Sequence, residues 1–242
     1  MLECYSTLVD PTVKRASGRR DRKARATRQR ILDAAEALFV RDGYVSTTMA
    51  AVAEEADVAV QTVYAVFGTK RAILTELLAI RTVGDEQTTP LTQRPQWQAM
   101  EDEADPKRQL IHFAAIATSI GERMADLYEV MSAAAGSDAE IAAMYDSQQQ
   151  LRYRDQRRLA RALSRAGALR PGLSEGRATD ILWAIANPRT YHNLVRLRGW
   201  TRKDYQRWLG ELLIGALLAD PVGLFANRFR QDTESLPERA PQ

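Results

Sequence analysis

Apolar side chains in this chain recur every three to four residues over long stretches, the period of a helix with one buried face. Ile31, Leu32, Ala35, Leu38 and Phe39 form one such stripe and predict a first helix over about 26–41, with Gly43 as its C-terminal stop. Met49, Val52 and Ala53 predict a short second helix over 48–55, N-capped by Thr47 or Thr48. Val63 and Phe67 face inward from a third helix over about 59–66. Between the two short helices stand Ala56, small enough for a close crossing, Asp57, which tolerates a left-handed turn, and Val58, which plugs the angle between them. Ile73, Leu74, Leu77, Leu78 and Ile80 predict a fourth helix over 70–83, placed to join this head to whatever follows.

From 84 to 106 the pattern fails. Three prolines and many polar residues predict a linker, with Trp97 and Met100 docking it. The remainder reads as helix again. Helices are expected over 107–119 and 122–134, separated at Gly121. A long one follows, capped at Ser137-Asp138 and running to 165, where Gly167 and Pro171 end it. Two more cover 174–197, kinked at Pro188, and 201–219. The predicted architecture is all-α with about nine helices. A basic arm at 1–24, disordered when alone, precedes a three-helix helix-turn-helix domain at 25–84, then the linker at 85–105, a helical domain at 106–229 and a disordered tail at 230–242.

Charge changes the picture at one end. Net charge is only +3, yet the stretch from Lys14 to Arg30 holds nine Lys or Arg against one Asp, so the rest of the chain is net acidic. A basic arm including Arg19, Arg20, Arg22 and Arg25 on an acidic body suits a polyanion partner, or is a solvated tail. A second basic run, Arg152, Arg154, Arg157, Arg158, Arg161 and Arg165, is read either as another such patch or as a solvated helix face, the latter favoured because Asp155 sits among them.

The tight helix pair at 47–70 carries the most specific chemistry. Two short helices at this spacing form a helix-turn-helix, whose second helix lies in a DNA major groove. Gln61 and Thr62 fall near the N-terminus of that helix, beside Val60, where side chains reach base edges. Tyr64 and Lys70 fall where a duplex backbone would pass: a phenol donates to phosphate and an ammonium neutralises it. Thr48, at the start of the first helix of the pair, is a further contact candidate. Residues 27–78 resemble the DNA-binding domain of the TetR family of bacterial transcriptional regulators. The resemblance covers the first helix, Asp42-Gly43-Tyr44, Thr47-Thr48, Val63-Tyr64, Phe67 and Thr69-Lys70. It departs at Asp57, where the family has glycine, and at Ala65-Val66, where aromatic or polar residues are common.

The resemblance implies a cytoplasmic homodimeric regulator, by the family's habit a repressor, released from a palindromic operator by a small molecule in the helical body. The C-terminal pair supports a dimer on its own residues. Ile185, Trp208, Leu212, Leu213 and Ala216, with Leu209 and Leu217, are apolar over a width exceeding one neighbouring helix. Phe113, Met124, Tyr128, Met131, Tyr145, Trp183 and Tyr191 are candidates for lining a ligand pocket or for plain core. Few carboxylates fall on inner faces, which favours a hydrophobic or neutral effector over a cationic one.

No catalytic set and no cofactor are expected. His112 and His192 lie in different helices, the single cysteine is Cys4, and neither a phosphate loop nor a G-x-S-x-G is present. One cysteine fits a reducing cytoplasm, no apolar signal segment opens the chain, and the longest apolar run, near 212–219, is far short of the ~20 residues a membrane span needs. Two alternatives remain: a ligand-independent, largely non-specific DNA-binding protein using the basic arm, and an all-helical enzyme with unrecognised residues.

Overall fold

The computed structural model describes residues 19–84 and 89–219. Cys4, Lys14, Arg15 and the expected tail at 230–242 lie outside the described residues. The chain divides into two compact units between Leu74 and Thr75, a boundary inside the fourth helix and ahead of the expected one at 84.

In the first unit, α1 is Arg19–Asp42, α2 Met49–Glu55 and α3 Val60–Phe67, and α4, Lys70–Val83, starts there. Helix α1 begins seven residues before the expected start near 26, so Arg19, Arg20, Arg22 and Arg25 belong to a helix and not to a disordered arm. Ile31, Leu32, Ala35, Leu38 and Phe39 are buried together with Val52, Ala53, Val63, Ile73 and Leu74, a core three short helices could not build without the long one.

The second unit continues α4 and adds α5 (Pro95–Glu101), α6 (Pro106–Ala134), α7 (Ala139–Arg165), α8 (Glu175–Ile185), α9 (Pro188–Tyr191), a π-helical turn His192–Leu197 and α10 (Arg202–Leu217), which makes ten α-helices among the described residues. Helix α6 is the hub and packs on α5, α7, α9 and α10. Each α-helix from α6 to α10 has a side-chain N-cap (Asp105, Asp138, Ser174, Asn187, Thr201) that accepts from an N–H of the first turn.

Three expectations change. The stretch expected as a linker folds into α5, because Trp97 and Met100 are large enough to seat it in the core. Helix α6 runs unbroken through Gly121, where a glycine is needed for proximity and not for a break: a Cβ there would lie 2.8 Å from Cβ and Cγ of Tyr191. The helix expected over 174–197 ends at Ile185 and restarts at Pro188, with Asn187 capping the second piece. No helix among the described residues is long and apolar enough to cross a membrane.

Candidate nucleic-acid interface

Helix α2 starts where Thr48 accepts a hydrogen bond from the Ala51 N–H at 3.1 Å. Thr47, the other capping candidate, is buried and donates its hydroxyl to Gly43 O at 2.8 Å. The turn after α2 closes as sequence chemistry requires. Asp57 adopts φ 51°, the left-handed position; its N–H donates to Glu54 O at 3.1 Å, and the Val58 N–H reaches back to Ala53 O at 3.0 Å. That paired pattern stops a helix and redirects the chain, and aspartate carries it at modest strain where glycine would carry none.

Val63 and Phe67 anchor α3 to the core, and everything else on it follows from 3.6-residue geometry. Gln61, Tyr64, Ala65 and Gly68 form the exposed stripe, with Tyr64 53% exposed, while Val60 and Thr62 are half-buried at its edges. No side chain caps its N-terminus. Such a stripe is uncharged, offers amide and phenol groups, and ends in a residue without a side chain, so a polymer backbone can approach closely. Arg28 of α1 sets the far end of α3. Its guanidinium lies 4.5 Å from the Phe67 ring centroid and donates to Val66 O at 3.5 Å. The sequence reading missed Arg28; its signal was its register on α1, one turn before Leu32.

Lys70 is engaged by the chain itself. Its ammonium donates to Tyr44 O (2.6 Å), Val45 O (3.2 Å) and Thr47 O (2.7 Å) and lies 4.4 Å from the Tyr44 ring centroid. An ammonium has three N–H donors, so these carbonyls occupy them all. Lys70 therefore pins the loop between α1 and α2, and a phosphate would have to compete with these carbonyls for its ammonium. Arg22 and Arg25 are exposed on α1, as are Lys23 and Arg30; the Arg19 and Arg20 side chains lie outside the described residues.

In the second unit the candidate ligand residues separate. Phe113 and Tyr191 belong to the main core, Tyr191 edge-on to Tyr205 at 4.9 Å. Met131 is fully buried, and Met124 accepts from the Thr82 hydroxyl at 3.7 Å. Tyr128, Tyr145 and Trp183 do come together. The two phenols are 2.9 Å apart and the Gln149 amide donates to Tyr128. Arg152 lies 4.9 Å from the Trp183 ring centroid and donates to Trp183 O at 2.6 Å, Ala186 O at 3.3 Å and Gln149 Oε1 at 2.8 Å. Burial drags its guanidinium down to about 10, still fully charged at neutral pH, and raises the Tyr128 phenol. The other arginines of this run stay at the surface, where Arg157 and Arg161 pair with Glu175 and Arg158 with Glu101. Arg152 was misread with them. It is in phase with Leu159 and Leu163, seven and eleven residues on, which places it on the inner face.

The expected dimerisation residues also separate. Leu213 is fully buried within the chain, in line with Tyr205, Leu209 and Leu217, so it belongs to the chain's own core. Trp208, Leu212 and Ala216 remain half-buried on the adjacent stripe of α10, and Ile185 is half-buried at the end of α8. A shallow groove of about 470 Å³ beside the start of α10 is lined by Trp200, Asp204, Arg207, Trp208 and Glu211.

Residues 31–77, from α1 into α4 with all of α2 and α3, match the family model described as bacterial regulatory proteins, tetR family. The fold is similar to that of NalD, the secondary repressor of the MexAB-OprM multidrug efflux pump in Pseudomonas aeruginosa, with TM-score 0.60 and 21% identity over 81% of this chain and 99% of that one. The SmeT–triclosan complex gives TM-score 0.61 and 22% identity over 90% and 100% of the two chains. The fatty acid degradation regulator FadR from Bacillus halodurans gives TM-score 0.61 and 16% identity over 78% and 95%. At these identities the likeness establishes the fold. Among curated proteins none matches the chain by sequence.

Proposed function

Because the chain belongs, through residues 31–77, to the tetR family of bacterial regulatory proteins, we propose that it is a homodimeric, sequence-specific DNA-binding regulator that represses from a palindromic operator and is released by a small molecule held in the second unit. The observation that carries the reading is the exposed stripe of α3. Gln61 offers the two-point amide contact suited to adenine, Thr62 a hydroxyl or methyl at the stripe's edge, and Tyr64 a phenol for phosphate. Thr48, Arg22 and Arg25 supply further donors on exposed positions of α2's start and α1. The half-buried stripe of Trp208, Leu212 and Ala216 on α10, with half-buried Ile185 on α8, supports pairing with a second copy, since an apolar stripe beside a filled core stripe gains by being covered. A two-fold pair of α3 helices meets half-sites about 34–36 Å apart, or a multiple.

The test is selection of bound duplexes from a random pool at physiological salt. A two-fold symmetric motif preferred by ~10³ or more over random duplex is expected. Binding with no enriched motif would replace this reading with general DNA association. A species of one chain's mass only, in sedimentation at micromolar concentration, would remove the dimer.

A further inference from the structure

The inner face of α7 changes character along its length. Tyr145, Gln149, Arg152 and Gln156 occupy the same stripe that continues as Leu159 and Leu163. Four polar side chains in core register are costly unless each finds partners. Two do not find enough. No carboxylate among the described residues pairs with Arg152. The ionisable groups that act on it are the Tyr128 and Tyr145 phenols, and its hydrogen bonds go to the carbonyls of Trp183 in α8 and Ala186 just after it and to the Gln149 amide. Gln156 is 4% exposed; its amide donates to Ala186 O at 3.4 Å, but its Oε1 has no partner.

The carbonyls at the end of α8 explain why the guanidinium is tolerated, since a helix C-terminus is the negative end of its dipole. They do not neutralise it, and with the Gln149 amide they use three of its five N–H donors. A planar fork with spare donors, 4.9 Å from an indole centroid and close to two phenols, is an arrangement that can receive a carboxylate. Tyr145, Gln149, Arg152 and Trp183 are each half-buried, so the cluster keeps some exposure.

We propose that the effector of this protein is an organic anion, an aromatic or apolar body bearing one carboxylate, whose charge is met by Arg152 and whose body lies against Trp183 and Tyr145. This rests on the reading of the chain as a ligand-responsive regulator, and it replaces the expected hydrophobic or neutral ligand by one with an apolar body and a single negative charge.

The experiment is calorimetric titration of the full chain with 2-naphthoate and with 2-naphthamide, matched in shape and differing in charge. Naphthoate binding at least about tenfold tighter is expected, with the ratio falling to about twofold or less in Arg152→Met. A merely structural Arg152 would change both affinities alike and leave the ratio standing. The wild-type ratio needs no variant, and Tyr145→Phe, which should weaken naphthoate and naphthamide differently by losing one donor, covers the case in which Arg152→Met does not fold. Equal affinities, a ratio that persists in Arg152→Met, or no binding of naphthoate at millimolar concentration would each overturn the anion assignment. Operator binding by the same preparations without probe separates the two ideas: intact specific binding leaves the regulator standing whatever the probes do, and its absence sinks the regulator itself.

Discussion

Replacing Lys70 by methionine keeps the length of the side chain and removes three charge-assisted hydrogen bonds at 2.6, 2.7 and 3.2 Å and a cation–π contact at 4.4 Å. Bonds of this kind are worth about 1.5–3 kcal/mol each when well buried. Here the Val45 carbonyl is exposed and the other two are only partly buried, so water replaces much of the loss. The cation–π contact adds about 0.5–1 kcal/mol at such a site. The terms are not additive, and a net loss of about 2–3 kcal/mol follows. For a unit of this size each kcal/mol moves the midpoint by about 4–8 °C, so the first unit should melt about 8–24 °C lower. Amide exchange at Tyr44, Val45 and Thr47 should accelerate together, since the loop loses its common anchor. The charge-conserving Lys70→Arg should not restore the pin, because a planar fork cannot reproduce three donors spread around one nitrogen. The salt dependence of DNA affinity separates this account from a phosphate contact. A pin leaves the slope unchanged once the fold is restored by cooling, whereas a phosphate ligand removes about 0.9 from it. An unchanged melting curve together with that smaller slope would refute the pin.

Other outcomes follow from single contacts. Gln61→Ala should relax preference at one base position of the selected motif, by about 1–3 kcal/mol of discrimination, while Tyr64→Phe should weaken all sequences alike; a motif unaltered by Gln61→Ala would show that α3 is docked otherwise. Gly121→Ala should destabilise the second unit by about 1–3 kcal/mol, since its Cβ would sit 2.8 Å from Tyr191, and Tyr191→Ala in the same chain should recover part of that clash in a double-mutant cycle. Burial raises the Asp155 carboxyl to about 6, against Arg154 and Arg158, which lower it, and with Glu101, which raises it. The folded state therefore holds this proton more tightly than the unfolded chain, and Asp155 costs stability as pH rises from about 4 to 6. Asp155→Asn should match wild type near pH 4 in urea titrations and exceed it near pH 7; a gain at both pH values alike would point to packing instead.

Periodicity and caps made the helical framework legible. The stripe of α1, the capping of α2, the left-handed Asp57 and the stop at Gly167 are all decided within one or two turns of the residues concerned, so nearest neighbours in sequence carry the information. The same holds for the outward face of α3, because two anchors, Val63 and Phe67, orient the whole helix. The roles of individual cations are another matter. Lys70 finds its acceptors 23 to 26 residues away and Arg152 finds its own 31 and 34 residues away. Gly121 is explained by Tyr191, and α5 by a core assembled from helices that follow it. A charged side chain is long and its energy depends on which groups surround its tip; periodicity places the stem and says nothing of those groups. The chain alone thus determined that helices form, the caps and stops set by adjacent residues, and which face of the third looks outward. Only tertiary packing decided that one lysine closes a loop and that one arginine of six turns into the protein, because those choices depend on the carbonyls and rings that folding brings to the end of each side chain.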